Sequence, residues 1–587
     1  MRTRKFNEDT FTTWDGENLF YRIWPAADPA SDQALILLHR GHEHSGRLQG
    51  LVDDLDLPQF HCFAWDARGH GKSPGERGAA NSFMCLVKDL DAFARHLSIT
   101  QSIPYENIAV VANSVGSVIA STWVHDYAPP IRAMVMVAPA FDINLYVPFA
   151  RTGLKLLRTL RSGATVKSYV SPKLLTHDAE QARAYSEDPE ITGNICVEVL
   201  LGVYEAGDRV VRDAGAIQVP ILVQSAGSDK VVKTGAQLKF FDGLSSTRKQ
   251  FKSYRGYYHA LFHELNRAVP ISDARAFLVQ EFNEKTVGPE QTVQRLFEYT
   301  DREYRHLQQS ASPMRESIFG IQRFLLGTLG RLSDGIRVGL STGFDSGQSL
   351  DYLYRNRAGG AGALGRLIDR NYLNAVGWVG IRTRGDHLRT ALDGAVQRCS
   401  AGGRQVRILD VATGCGRYVL DVLEKHRDAP VSAVLRDITP GNLEAGRRLA
   451  KERGCLSATF ERGDAFKAEE LRNTLPRPDI VIVSGLYELF PDNEWVLESL
   501  KSIASILSPG GRLIYTCQPW HPELETIART LTNRNGDPWI MRRRTQAEMD
   551  ALVELAGLRK REMHIDDLGI FTVSIATPRN IATREAA

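Results

Sequence analysis

The sequence predicts an α/β chain with two separate parallel sheets, a helical insertion in the first and a helical connector between them. Three observations carry that reading. The chain has 587 residues, more than a single core of about 100–250 residues organises. Short Val/Ile/Leu runs alternate with helical stretches twice, from Ala34 to Phe282 and from Val406 to Ala576, the pattern of buried parallel strands joined by crossover helices. Each alternation carries one glycine-bearing turn directly after a strand, Ala112-Asn113-Ser114-Val115-Gly116 in the first and Asp410-Val411-Ala412-Thr413-Gly414-Cys415-Gly416 in the second. The two halves share no repeat.

Within the first alternation the strands fall at Ala34–Leu38, Phe60–Trp65, Ile108–Ala112, Ala133–Val137, Val219–Gln224 and Lys249–Tyr254. Between about 143 and 210 the pattern turns helical and basic (Arg151, Lys155, Arg158, Arg161, Lys167), which places a cap over the sheet. The first domain is therefore 1–285. Residues 286–340 read as a helical connector, broken near Ser312-Pro313 and Ser333-Asp334. Ile318, Phe319, Ile321, Phe324, Leu325, Leu326, Leu329 and Leu332 crowd one helix there, expected to pack between domains, with a membrane-surface helix as the alternative. The second domain is 341–587, with a loop at Arg357–Ala363 and sheet strands from Val406 onward.

Composition, 43% hydrophobic and 24% charged, is that of an ordinary globular protein. No apolar run follows the basic start Met1-Arg2-Thr3-Arg4-Lys5, so no signal peptide is expected. Ile108 to Val124 is broken by Asn113, Ser114, Gly116 and Ser117, so no run reaches the roughly 18 residues of a spanning helix. Seven scattered cysteines without a CxxC pair argue against a disulfide framework and fit a reducing cytoplasm, the expected location. Charge is uneven: 31 basic and 32 acidic residues in 1–285, 15 and 11 in 286–400, 26 and 26 in 401–587. All 15 basic residues of the middle segment are Arg. That segment is either a solvated connector or a surface for anionic lipid, since Arg grips phosphate bidentately; peripheral contact with the inner membrane face is the corresponding expectation. No basic stripe with interleaved aromatics points to nucleic acid.

Acyl hydrolysis by a serine needs an exposed, strained nucleophile, a base oriented by an acid, and N–H donors for the oxyanion. Ser114 sits at a strand-to-helix turn with small residues, Ala112 and Gly116, two before and two after it. Asp229 follows strand Val219–Gln224 and His259 follows Lys249–Tyr254, in the chain order Ser, Asp, His. The loop after Ala34–Leu38 reads His39-Arg40-Gly41-His42-Glu43-His44-Ser45-Gly46-Arg47, where an oxyanion loop belongs. The histidines at 39, 42 and 44, and the pair His259 and His263, form no HExxH and no zinc shell, so no metal is expected.

His39 through Arg47, with Trp65-Asp66-Ala67-Arg68-Gly69-His70-Gly71-Lys72-Ser73, resemble the monoacylglycerol lipase and lysophospholipase branch of the α/β-hydrolase fold, of the serine aminopeptidase S33 type, over most of 15–280. The resemblance implies a Ser114–His259–Asp229 triad, with the N–H groups of Gly41 and Val115 holding the oxyanion. Three positions depart from the pattern: Arg40 for a Gly, Asn113 for a His, and Ala112 for a Gly.

In the second half, Asp410-x-x-x-Gly414-x-Gly416 lets backbone approach a cofactor closely at the carboxyl end of the first strand. A nicotinamide site would want a third Gly where Val419 stands, and here the acid precedes the loop; both features favour S-adenosylmethionine. Strand Val431–Leu435 leads to Asp437, placed for ribose hydroxyls. Strand Ser457–Glu461 leads to Gly463-Asp464-Ala465-Phe466 at the adenine edge, and Asp479–Val483 leads to Ser484-Gly485-Leu486-Tyr487-Glu488. The cofactor set is Asp410, Gly414, Gly416, Asp437, Asp464, Ala465 and Ser484. Methyl-acceptor candidates are Tyr487, Glu488, Gln518, His521 and Arg542-Arg543-Arg544, with His521 either a general base or structural, and the Arg run either a phosphate grip or a solvated helix face.

This series resembles class I S-adenosylmethionine-dependent methyltransferases over about 400–580. That implies a Rossmann-like seven-stranded sheet ending in an antiparallel hairpin, at Lys560–Ile565 and Ile570–Ile575, with the block from Gly343 to Trp378 folding over the site. The whole chain resembles a bacterial group of fused hydrolase–methyltransferases. The expectation is a bifunctional enzyme of lipid metabolism, a serine ester hydrolase for a monoacylglycerol or lysophospholipid joined to a methyltransferase of a related polar lipid. The alternative is a methyltransferase of a soluble metabolite beside a catalytically silent hydrolase-fold scaffold.

Overall fold

The structure, a computed structural model, describes residues 3–474 and 476–579. They fall into two compact units, Met1–Val287 and Gly288–Ala587. Among the described residues, no helix is long and apolar enough to cross a membrane, and all seven cysteines are free.

The strands of the first unit are β1 (Asn7–Thr12), β2 (Asn18–Trp24), β3 (Ala34–Leu38), β4 (His61–Trp65), β5 (Ile108–Asn113), β6 (Ala133–Val137), β7 (Thr165–Lys167), β8 (Asn194–Cys196), β9 (Ile221–Ala226) and β10 (Lys249–Tyr254). Eight form one sheet in the order β1-β2-β4-β3-β5-β6-β9-β10, and β7 pairs with β8 alone. Pairing is parallel from β4 to β10, and β1 and β2 join antiparallel at one edge. Strands β3, β5, β6 and β9 are buried at every position, and their sequences are apolar except for Asn113 at the end of β5 and Gln224-Ser225 in β9. The edge strand β1 buries only Phe11 and carries no such signal. Between β6 and β9 lies the cap: helices Ala150–Leu160, Pro172–Leu175, Ala179–Glu187 and Val197–Arg212, with the antiparallel pair β7–β8.

The sheet strands of the second unit are β11 (Val406–Asp410), β12 (Val431–Asp437), β13 (Ala458–Arg462), β14 (Ile480–Val483), β15 (Arg512–Cys517), β16 (Leu558–Ile565) and β17 (Thr572–Pro578). Their order is β13-β12-β11-β14-β15-β17-β16, parallel except that β17 runs antiparallel to both its neighbours. This is a Rossmann-like sheet closed by a hairpin. The helices expected as a connector, 286–340, lie inside this unit. Helix Pro289–Gln308 buries Leu296 and Leu307, and its Thr300 hydroxyl donates to Glu548 at 3.0 Å. Helix Pro313–Gly327, read as packed between domains, buries Phe319 but leaves Ile321 and Phe324 61% and 68% exposed. A run of apolar residues tells which helix is sticky, not which face is covered.

Candidate functional sites

β5 passes through Ser114 into helix Val115–Tyr127, and Ser114 is held at φ 53°, ψ −113°. Such a conformation costs a non-glycine residue about 1–3 kcal/mol and persists only where the surroundings impose it. Here Ser114 N–H donates to Val137 O at 2.8 Å, and the Ser117 hydroxyl donates to Ala112 O at 2.7 Å. Gly116 is obligatory: a Cβ there would stand 2.8 Å from His39 O and 2.9 Å from Leu38 Cβ.

Asp229 and His259 lie beyond the carboxyl ends of β9 and β10, and the three side chains meet. Ser114 Oγ is 2.8 Å from His259 Nε2, and His259 Nδ1 is 2.8 Å from Asp229 Oδ2. Asp229 Oδ1 accepts the N–H groups of Val231 and Val232 at 2.8 and 2.9 Å. Burial opposes ionisation of Asp229, but the charge and hydrogen bond of His259 and the two backbone donors outweigh it and hold the carboxyl below its usual range. With Nδ1–H on the carboxylate, Nε2 is free to accept the serine proton.

Gly41 and Val115 line the same cavity as Ser114 and His259. Their N–H groups have no acceptor among the described residues, and a Cβ on Gly41 would lie 3.0 Å from Val115 Cγ2. Glycine thus lets two backbone donors converge beside the nucleophile. The cavity, about 450 Å³, is walled by cap side chains such as Leu145, Val147, Leu154, Leu157 and Leu200. The neighbouring histidines support the loop. His39 Nδ1 donates to Arg40 O at 2.7 Å and its Nε2 accepts Ala67 N–H at 3.1 Å. His44 bridges to the cap through Asp188 at 3.0 Å and Glu190 at 3.1 Å.

The second unit holds a cavity of about 390 Å³ beyond the carboxyl ends of β11 to β14. Gly414 and Gly416 take φ +58° and +68°; a Cβ on Gly416 would collide with Leu435, while that on Gly414 would meet nothing within 4 Å. Asp437 lines the cavity and orders the glycine loop, accepting Gly414 N–H at 2.9 Å and Thr439 N–H at 2.8 Å. Asp464, Ala465 and Ser484 line it as well.

Asp410, expected at the cofactor, is not on the cavity. It is buried beneath the loop, bonded by the Tyr418 hydroxyl and by Ala412 N–H at 3.4 Å, and burial pushes its carboxyl up to about 7. Its part is to pin the loop. Tyr487 also turns inward, its hydroxyl 3.1 Å from Ser499 Oγ. It opens a short 3-10 turn, in which successive side chains diverge by about 120°; Glu488 reaches the cavity, 3.4 Å from Arg384. His521 lines the cavity, but its Nδ1 accepts Glu523 N–H at 3.0 Å and burial pushes the ring down to about 4. The ring is neutral with its hydrogen on Nε2, a donor and not a general base.

The arginine run is neither a substrate grip nor a solvated face. Arg542, Arg543 and Arg544 are 1–3% exposed. Arg542 meets Glu548 at 2.5 Å and Asn493 at 2.9 Å, and Arg544 donates to Tyr487 O at 2.6 Å and Phe490 O at 2.8 Å. Buried guanidiniums require such partners, and none of these is sequence-adjacent. Sequence reasoning missed Arg384, Trp539 and Phe571 on the cavity. Trp378 stacks on Trp539 at 6.0 Å, and Arg384 lies 4.7 Å over the Phe571 ring; no local spacing links these positions.

The family described as "Putative methyltransferase" matches residues 274–578, and that described as "Serine aminopeptidase, S33" matches 29–266. The uncharacterized protein YnbC of Escherichia coli (strain K12) is 44% identical over 98% of this chain and 98% of its own length. Phospholipase YtpA of Bacillus subtilis (strain 168) is 26% identical over 44% of this chain and 98% of its own. The monoglyceride lipase of Homo sapiens is 29% identical over 43% of this chain and 82% of its own.

Proposed function

The chain belongs to the family described as "Putative methyltransferase", preceded by a domain of the α/β-hydrolase fold, and from that premise we propose a bifunctional enzyme of lipid metabolism: a serine ester hydrolase joined to an S-adenosylmethionine-dependent methyltransferase. The observation that carries the reading is that each unit has its own equipped cavity, one ending on Ser114 and His259, the other on the Gly414–Gly416 loop and Asp437.

In the first cavity His259 takes the proton of Ser114 as Oγ bonds to the ester carbonyl carbon. The carbonyl electron pair moves onto oxygen, facing the N–H groups of Gly41 and Val115. Collapse breaks the ester C–O bond, His259 returns the proton to the departing alcohol, and water repeats the cycle to free the acid. The apolar walls suit an acyl chain, and two relatives of this half are named phospholipase and monoglyceride lipase.

The second cavity fits a cationic sulfonium cofactor. Its arginines each face a carboxylate, Arg384 with Glu488 at 3.4 Å, Arg417 with Asp351 and Arg534 with Asp345 at 2.9 Å. Asp437 and Asp464 face no cation among the described residues, so the lining is net negative. Asp437, Asp464, Ala465, Ser484 and the glycine loop would hold S-adenosylmethionine, which supplies an electrophilic methyl group. Trp378, Trp539 and Phe571 give the acceptor an apolar wall, His521 offers it a hydrogen bond, and Glu488 stands as the carboxylate for its proton.

A cytoplasmic protein with a peripheral membrane contact completes the reading. Free cysteines suit a reducing compartment. On the cap, Tyr146, Val147, Phe149, Leu156 and Leu160 are exposed on the helix that also walls the cavity with Leu154 and Leu157, or just before it, beside Arg151, Lys155, Arg158 and Arg161. The test is paired: a fluorophosphonate probe should label the chain but not Ser114→Ala, and calorimetry should show S-adenosylmethionine binding to the chain but not to Gly414→Arg. Absence of labelling would leave a silent hydrolase-fold scaffold; absence of binding would refute the methyltransferase half.

A further inference from the structure

The loop beside Ser114 holds more positive charge than its carboxylates neutralise. Arg40 and Arg47 both turn onto Glu43. Arg40 Nε donates to Glu43 Oε2 at 2.9 Å and its Nη2 bonds Oε1, while Arg47 Nε stands 3.7 Å from Oε1. All three side chains are buried, at 10%, 10% and 2% exposure for Arg40, Arg47 and Glu43. The adjoining His263 adds no charge, since burial, with the two guanidiniums, pushes it down to about 3. Two guanidiniums therefore share one carboxylate.

Their N–H groups are also incomplete. Arg40 Nη1 and Arg47 Nε have no hydrogen-bond acceptor among the described residues. Arg40 and Glu43 line the cavity that contains Ser114 and His259, and so does Lys167 from the cap, which has no ion pair among the described residues. The remaining wall is chiefly apolar. A buried N–H without a partner calls for a further acceptor, and two guanidiniums on one carboxylate favour an anionic one. Position 40 is also where this chain departs from the lipase-like pattern, which has glycine there.

We propose that Arg40 is a specificity residue that reads a phosphate group on the acyl ester substrate, so that the first unit hydrolyses anionic lysophospholipid-type esters in preference to neutral acylglycerols. This rests on the reading of that unit as a serine ester hydrolase. An anchor of this kind, donating from Nη1 while Nε and Nη2 stay on Glu43, fixes the ester against Ser114 through binding alone and leaves the bond-making steps to Ser114, His259 and Asp229.

The full-length protein is assayed below micellar concentration on 1-decanoyl-lysophosphatidylglycerol and on 1-decanoylglycerol, as wild type, Arg40→Gly and Arg40→Lys, with fluorophosphonate labelling and thermal melting measured on each. The expected result is a preference of at least about tenfold in kcat/KM for the anionic ester, lost in Arg40→Gly through a rise in KM and partly kept in Arg40→Lys. Labelling of Ser114 should stay within about twofold in both variants. A wild type that turns over the neutral ester equally well, or an Arg40→Gly chain that labels normally and keeps its preference, overturns the proposal. If Arg40→Gly fails to fold, Arg40→Lys decides in its place: a chain that labels normally and whose preference is undiminished overturns the proposal. A wild type that does not label at all removes the hydrolase reading and the proposal with it.

Discussion

At Gly116 a methyl group would meet the His39 carbonyl oxygen at 2.8 Å, and backbone at that distance has little room to give. Gly116→Ala should therefore cost about 1–3 kcal/mol, read as a lower Tm, and should slow fluorophosphonate labelling by displacing the Ser114 turn. His125, on the helix that begins just after Ser114, sets a pH dependence. It lies 2.7 Å from both Asp126 and Asp213; burial opposes its protonation, but the two carboxylates outweigh burial and raise its pKa. A raised pKa means the folded chain holds the proton more tightly, so the contribution is complete below about 6.5 and disappears as pH rises through the folded value. The stability gap between wild type and His125→Gln, measured by urea midpoint, should be widest in acid and shrink on the alkaline side; a gap that widens with pH would contradict this charge state. Residue identities were legible where chemistry demands a type at a spacing, as for Ser114, Asp229, His259 and Asp437. They were illegible where only direction matters: Asp410 and Tyr487 are the expected residues, yet both point away from the cavity because a strand end and a 3-10 turn offer two sides.

The helix Ala150–Leu160 divides its apolar residues between two duties, Leu154 and Leu157 inward on the cavity and Leu156 and Leu160 outward, with Phe149 before it 87% exposed. Sedimentation with vesicles containing anionic phospholipid should carry the wild type down, and Phe149→Asp combined with Leu160→Asp should weaken that by about tenfold, since each change removes apolar area and adds repulsion. Equal sedimentation of both would remove the cap from membrane contact. Strands in the buried middle of each sheet were legible because both faces are apolar; β1 was not, since an edge strand beginning Asn7-Glu8-Asp9-Thr10 needs no apolar run. The helices of 286–340 show the same limit. Their amphipathic pattern announced helices, but the partner on which Pro289–Gln308 packs, and whose Glu548 takes the Thr300 hydroxyl, is helix Gln546–Leu555, some 250 residues away, and no local signal names it.

For the whole molecule, two compact units with separate cavities lead the proposed function to predict two chemistries that fail separately. Ser114→Ala should leave S-adenosylmethionine affinity unchanged within about twofold, and Gly414→Arg should leave fluorophosphonate labelling unchanged, because mutations without shared partners act additively. Loss of both activities from either change would contradict this. Domain count was legible from length and from the two alternations; the boundary was not, because the segment after Val287 joins the second unit by packing at a distance. The central claim is tested most directly by tracing the methyl group. Purified chain is given methyl-labelled S-adenosylmethionine with a lipid-containing cell extract, Gly414→Arg serving as control, and the products are split between organic and aqueous phases. Label in the organic phase that is absent from the control is the expected result; label confined to the aqueous phase would contradict action on lipids and point to a soluble acceptor.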